Sequence, residues 1–371
     1  METLRPFILI VLGIGVFFIA SKLENRLIVE VAVAPKIASS IPEKIATSTP
    51  PTKVASSTPP QEKPAPIPKI TSTPVASTPV TIAPTPPLIP FNDLNIKTRT
   101  ALVNILCGAA AGSPINGESG SGVFISSKGV ILTNAHIAEY FLLQDYPHSG
   151  NIECQIRTGS PAVAAYSARL LYISPKWVQN NSAALSQENP QGTGEDDFAL
   201  LLIKDSVSGA PLPLSFPYLP LREGGNSPVG TPVLVASYPA EFIASESISR
   251  NLYAISAIST IRQFFTFTTS SEDVFSVGNI IIAEKGSSGG PVVTQEGTVE
   301  GIIVTSTPGA TTGERDLFAI TISHINQSLK KDIGISIPQL LDSQNLNATA
   351  DSFEKNVAPA LTSLITAHLP K

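Results

Sequence analysis

Fifteen prolines fall between Pro35 and Pro90, and they decide where this chain can fold. Proline lacks the amide donor of helix and sheet, and it restrains the residue before it. The units Ser48-Thr49-Pro50, Ser57-Thr58-Pro59, Ser72-Thr73-Pro74 and Ser77-Thr78-Pro79 therefore predict an extended, partly polyproline-like spacer. Of the 371 residues, those beyond residue 92 must build the core. They number about 280, enough for one domain or two.

Ahead of the spacer, Phe7 to Ala20 is an uncharged apolar run of 14 residues. At ~1.5 Å per residue it is short for a hydrocarbon layer of ~30 Å. It fits a signal anchor or the apolar part of a cleaved signal. Ala20 is followed by Ser21-Lys22-Leu23-Glu24, without a small-residue cleavage site, and Ala32-Val33-Ala34 is followed by Pro35. Both features favour an anchor. Arg5 on one side and Lys22 and Arg26 on the other leave the orientation open. The expected organisation is an anchor over residues 1–26, a disordered linker over 27–92, a folded domain over 93–330 and a helical tail over 331–371.

Composition removes other classes of function. The net charge is −5, with no basic block, which argues against nucleic-acid binding, since that needs cations to neutralise phosphates. Charged residues make up 14%, below the roughly 25% usual for soluble domains. Two cysteines and four histidines are too few for an ordinary Cys/His zinc site, so no metal is expected. Cys107 and Cys154 are either a disulfide, which an oxidising compartment permits, or two small core residues.

The folded part reads as many short strands with Gly, Pro, Ser and Asn between them, a pattern of sandwiches and barrels. Strand signals cover 101–106, 122–125, 130–133, 152–157, 168–173, 198–203, 232–237, 264–268, 279–282, 290–294, 299–304 and 318–320. Asn92-Asp93 reads as the cap of a short helix over 94–100. Helical spacing returns beyond about Ser323, with Phe353, Val357, Ala360, Leu361 and Leu364 on one face.

Three motifs carry chemistry. In Gly120-Ser-Gly-Val-Phe-Ile-Ser-Ser-Lys-Gly-Val-Ile-Leu-Thr-Asn-Ala-His136, two strands and a turn deliver a single imidazole at a strand end, where a general base is held rigidly. In Glu195-Asp196-Asp197-Phe-Ala-Leu-Leu-Leu-Ile203, acids precede an apolar strand. Asp197, next to the strand, is the acid expected to orient the imidazole, with Asp196 its exposed neighbour. In Gly286-Ser-Ser-Gly-Gly-Pro291, glycines permit a tight turn around serine. The amides of Gly286 and Ser288 suit an oxyanion hole. Each motif alone also has an ordinary structural explanation: a core histidine, a solvated turn acid, a hairpin turn.

Together, in the order His, Asp, Ser, the blocks Thr133-Asn-Ala-His136, Asp197-Phe-Ala-Leu200 and Gly286-Ser-Ser-Gly-Gly-Pro291 resemble those of the chymotrypsin-like serine proteases, most of all the bacterial HtrA/DegP branch. The resemblance covers about residues 98–330 and leaves out the anchor and the linker. It implies an all-β fold of two perpendicular Greek-key barrels with a C-terminal helical segment, and an endopeptidase without a cofactor acting on peptides or proteins. His136 is implied as general base, Asp197 as its orienting acid and Ser288 as nucleophile. With the N-terminal anchor, the expected location is the cell membrane, single-pass, with the protease outside the cytosol because of its chemistry and the low charge downstream.

The departures matter. Ser287 stands where the zymogen-type enzymes carry an acid, and no Ile-Val-Gly-Gly start is present. About 40 residues after the domain leave no room for a PDZ module. The insert between His136 and Asp197, with Trp177, is expected as a loop over the cleft. By resemblance the substrate pocket draws on Ile282, Ala283, Val304, Thr305, Ser306 and Ala319, a small or apolar set that favours an apolar residue before the scissile bond. Two rival readings remain. Gly286-Ser-Ser-Gly-Gly290 also fits a hydrolase nucleophile elbow, although that fold needs its acid and histidine after the serine. A catalytically silent protease-like binding or scaffold module at the cell surface is the other.

Overall fold

The computed structural model describes residues 87–187, 192–267, 271–309 and 311–370. The apolar run and the Ser-Thr-Pro spacer lie outside the described residues. Among the described residues, no helix is long and apolar enough to cross a membrane.

The chain enters through α1 (Phe91–Ala101), which follows Pro90. Asn92 and Asp93, expected as its cap, lie within its first turn, where the Asp93 carboxylate meets the positive end of the helix dipole. Leu94, Thr98 and Ala101 bury one face at helical spacing.

Six antiparallel strands then close a barrel. They are β1 (Leu102–Ala109), β2 (Glu118–Ser126), β3 (Val130–Thr133), β4 (Ile152–Thr158), β5 (Val163–Ile173) and β6 (Ala199–Ser206), hydrogen-bonded in the order β1-β2-β3-β6-β5-β4. One helical turn, α2 (Ala135–Ala138), follows β3, and α3 (Pro175–Asn181) follows β5. Register pairs Cys107 with Cys154 across β1 and β4, and the two form a disulfide. Arg157 is 2% exposed. Its guanidinium donates to Asn104 Oδ1 and to the carbonyls of Ala162, Ile248 and Ser249, so its donors are met without a carboxylate.

The second sheet has seven strands, in the order β8-β7-β11-β12-β13-β10-β9. These are β7 (Pro232–Ser237), then a short helix α4 (Ser245–Ile248), β8 (Ile255–Thr260), β9 (Gln263–Phe265), β10 (Val274–Asn279), β11 (Pro291–Thr294), β12 (Val299–Ser306) and β13 (Asp316–Thr321). Its hydrogen-bonded order is open at β8 and β9, unlike the closed first barrel. It wraps a core of Val233, Val235, Ile261, Phe275, Val277, Val292, Ile303 and Leu317, with Ile282, Ala283 and Ala319 among them.

Four helices finish the chain: α5 (Ile322–Ile333), α6 (Ile337–Asp342), α7 (Leu346–Asn356) and α8 (Ala358–Thr366). Thr321 caps α5, and Gly334, at φ 80°, ends it. The expected single helical face through Val357 and Leu364 is broken. Pro359 lies in the first turn of α8, where its missing amide costs nothing. The buried face is instead Phe353, Leu361, Ile365 and Leu369, which join the first-barrel core. Burying each such side chain stabilises by about 1.5–3 kcal/mol. Arg169 of β5 ties α7 through Asp351 and Asn347.

Candidate active site

β3 ends at Thr133, and the chain turns through Asn134 into α2, which carries His136. The Asn134 side chain does not cap that turn. Its Nδ2 donates to the Asp197 carbonyl at 2.8 Å. The Asp197 carboxylate accepts from the His136 backbone amide at 3.0 Å through Oδ1, and its Oδ2 lies 2.7 Å from His136 Nδ1. With Nδ1 bonded to a carboxylate, the neutral ring carries its proton there and leaves Nε2 as acceptor. The carboxylate is 8% exposed and the imidazole 31%. Burial pushes the His136 pKa down, but the charge and hydrogen bond of Asp197, helped by Glu118, outweigh it and raise the value above 6.5.

Ser288 sits half-buried on the turn between Gly286 and Gly290. Gly289, at φ 84°, approaches so closely that a Cβ there would lie 2.1 Å from the Ser121 carbonyl oxygen and 2.6 Å from Thr133 Oγ1. That space is filled by the strand leading to His136, so only glycine fits. Ser121 locks the turn to the first barrel. Its amide donates to the Ser288 carbonyl at 2.8 Å, its hydroxyl donates to the Gly286 carbonyl at 2.8 Å, and that hydroxyl accepts from the Tyr238 amide. His136 and Asp197 are thus in direct contact. Among the described residues, Ser288 Oγ makes no hydrogen bond, and catalytic bonds are often loose without substrate.

The oxyanion-hole geometry can be followed through the backbone. The Lys285 carbonyl accepts from the Ala240 amide at 2.8 Å. In a trans peptide the N–H points opposite the carbonyl, so the Gly286 amide turns away from Ala240. Among the described residues, neither the Gly286 nor the Ser288 amide donates a hydrogen bond. Gly286 has φ 91° and no room for a Cβ beside the Tyr238 carbonyl.

Ser287 is 1% exposed. Its hydroxyl donates to the Ile282 carbonyl at 2.6 Å and accepts from Ser237 at 3.0 Å. Both of its hydrogen bonds are with neutral partners.

Three sequence expectations need correction. Asp196 is not exposed; it is 3% exposed, at φ 57°. The left-handed turn sends its carboxylate away from Asp197, toward Lys176, Ser328 and His324. Trp177 is 6% exposed and belongs to the first-barrel core, not to a loop over a cleft. Ile282, Ala283 and Ala319 have no accessible surface and pack in the second core, and Val304 is 5% exposed. Thr305 is exposed and Ser306 half-buried, at the end of β12.

Two acids went unnoticed in the sequence. Glu139, one turn after His136, is 2% exposed, and its Oε2 has no partner. Burial above all, then the charges of Asp197 and Glu118, pushes its carboxyl well above the usual carboxylate range. Burial also raises Glu118 against the pull of His136 and Lys285. No motif marks either residue.

Comparison with known proteins bears on this site. No curated protein matches the chain significantly. Among solved structures, the chain is similar to the active form of the Rv3671c protease from M. tuberculosis, with 18% identity, 69% of this chain and 94% of that chain covered, and a TM-score of 0.39. The model of the trypsin-like peptidase domain matches residues 120–302, a span that includes His136, Asp197 and Ser288.

Proposed function

We propose that the protein is a serine endopeptidase in which Ser288, His136 and Asp197 form the triad. The observation that carries this reading is the 2.7 Å contact between His136 Nδ1 and Asp197 Oδ2, inside a peptidase-domain match that also holds the Ser288 turn. Ser288 Oγ attacks the scissile carbonyl carbon while His136 Nε2 takes its proton. Asp197 stabilises the imidazolium. The oxygen of the tetrahedral intermediate receives the Gly286 and Ser288 amides. His136 then gives the proton to the leaving amine, and an acyl-enzyme remains on Ser288. Water, deprotonated by His136, attacks the ester, and Ser288 Oγ regains the proton. Exposed Thr305 and half-buried Ser306 present small neutral groups, consistent with a small or medium apolar residue before the scissile bond.

The same reading includes a membrane anchor over residues 1–26, a linker over 27–92 and an extracytoplasmic protease domain. The Cys107–Cys154 disulfide supports an oxidising compartment. The full chain is then expected to partition with membranes and resist carbonate extraction.

The test is peptide hydrolysis by the full chain. Ser288→Ala and His136→Ala each should lose several orders of magnitude, and the double variant little more, because triad members act as a unit. Additive losses would contradict a shared triad. Folded protein without any hydrolysis would favour a silent binding module.

A further inference from the structure

A second histidine–carboxylate cluster lies directly behind the first. Asp196 adjoins Asp197, and among the described residues it is the one non-glycine at positive φ. Such a backbone persists when the surroundings over-determine it. Here they do. Asp196 Oδ1 accepts from Ser328 Oγ at 2.5 Å and lies 3.5 Å from His324 Nε2, while Oδ2 lies 2.8 Å from Lys176 Nζ. On the other side of the ring, His324 Nδ1 lies 2.8 Å from Asp273 Oδ1. Asp273 is itself fixed by the Phe267 amide at 2.7 Å and by Thr266 Oγ1.

The cluster joins both halves of the fold. Asp196 leads into β6 of the first barrel and Lys176 is on α3, whereas Asp273 precedes β10 and His324 is on α5. Sequence separations of 51 and 132 residues are spanned by single bonds. A neutral imidazole donates through one nitrogen only; a ring between two carboxylates donates to both when it is an imidazolium.

We propose that His324, as an imidazolium bridging Asp273 and Asp196, is the positioning residue of the Asp197–His136 pair. This rests on the peptidase reading above. Asp196 and Asp197 are consecutive, so the bridge fixes the turn from which Asp197 reaches His136. With Ser287 in place of an acid, the charge that holds the site in register is supplied from α5. Loss of the proton removes the positive charge that faces Asp196 Oδ1 at 3.5 Å, and the turn loses one of its three anchors.

The electrostatics agree with the geometry. Burial lowers the His324 pKa, but the bonds and charges of Asp196 and Asp273 outweigh it, so the value is raised above 6.5. The other groups around the ring are accounted for. Lys176 is shared between Asp196 and Glu195, Asp332 on α5 accepts from Tyr172, Thr321 Oγ1 accepts from the His324 amide, and Phe267 meets the ring edge-on.

The test follows kcat/KM of the full chain for a chromogenic ester through the neutral and alkaline range, beside the His324 ring-proton titration by NMR. The expected profile rises with deprotonation of His136 and is lowered from the pH at which the NMR titration shows His324 losing its proton. Asp273→Asn removes one of the two carboxylates that raise the His324 pKa, so the falling limb and the His324 titration should move together to lower pH. His324→Gln should lose about ten- to a hundredfold in kcat, the scale of a small misplacement of catalytic groups, with KM little changed and the alkaline limb gone. An alkaline limb unmoved in Asp273→Asn, or full kcat in His324→Gln, overturns the proposal; if the glutamine variant does not fold, the Asp273→Asn result decides. The low-field proton on His136 Nδ1 is read without turnover. It should weaken above the His324 pKa in the unmodified chain, and its persistence there also overturns the proposal. A chain that shows this proton behaviour yet hydrolyses nothing contradicts the peptidase reading alone.

Discussion

Ser237 donates its hydroxyl proton to Ser287 Oγ at 3.0 Å, and Ser287 in turn donates to the Ile282 carbonyl at 2.6 Å. This buried relay sits under the turn that presents Ser288. It distinguishes two adjacent serines by their surroundings: the Ser287 hydroxyl is engaged in two hydrogen bonds, and that of Ser288 makes none among the described residues.

Ser287→Ala should therefore behave as a stability variant. It removes one of the two donors to the Ile282 carbonyl, which keeps the Glu284 amide, and leaves the buried Ser237 hydroxyl without its acceptor, which costs about 1–3 kcal/mol. Thermal unfolding should show the loss, while kcat stays within a few-fold of the unmodified chain. A loss in kcat matching that of Ser288→Ala would transfer the nucleophile to Ser287.

Asp197→Asn keeps the shape of the contact but offers an amide where His136 Nδ1 now meets a carboxylate. The ring is then pushed to the wrong tautomer, and kcat should fall about 10⁴-fold. The His136 pKa should also drop, since the charge that raises it is gone. The proposed mechanism requires neutral His136, so the acid limb of the pH profile follows its titration and moves to lower pH in the variant. Titration of the His136 ring proton checks the direction; an acid limb that stays in place contradicts it.

His324 links pH to stability as well. Its folded pKa is raised above 6.5. The stabilisation from the cluster is therefore complete below the unfolded value and is lost as pH rises through the folded one. The melting temperature should fall as pH rises through that window, and the fall should be smaller in His324→Gln. An identical fall in the variant would show that another group is responsible.

The Cys107–Cys154 disulfide closes a loop with a sequence separation of 47. On the chain-entropy model such a loop contributes about 4 kcal/mol. Cys107→Ala/Cys154→Ala should lower the denaturation midpoint accordingly without removing hydrolysis, because neither residue touches the His136–Asp197 pair. A midpoint unchanged by the double substitution would mean that the bond adds nothing to stability.

How much of this could be read from the sequence differs from element to element. β3 and β7 were legible to the residue, since Val130–Thr133 and Pro232–Ser237 are apolar runs with turn residues on both sides. β8 was not, because Ile255 and Ile258 face solvent and Ser256, Ser259 and Thr260 give no apolar alternation. The strand expected over 279–282 lies earlier, over Val274–Asn279. Ile280 to Ile282 pass into the turn before Ser288, and there Ile282 packs as core.

The chemistry followed the same division. His136 and Asp197 could be paired from the order of the three motifs and the resemblance they carry. The partners of Asp196 could not, since Lys176, His324 and Ser328 lie in distant segments and only the fold brings them together. Tyr238 and Ser121 were equally silent, because their contribution is made largely by backbone groups.

The most direct test of the central claim is the intact mass of the full chain after treatment with a fluorophosphonate, followed by peptide mapping. The account predicts one adduct, on Ser288, formed in the unmodified chain and lost in His136→Ala. Folded protein that takes no adduct, or an adduct carried by Ser287, would contradict it.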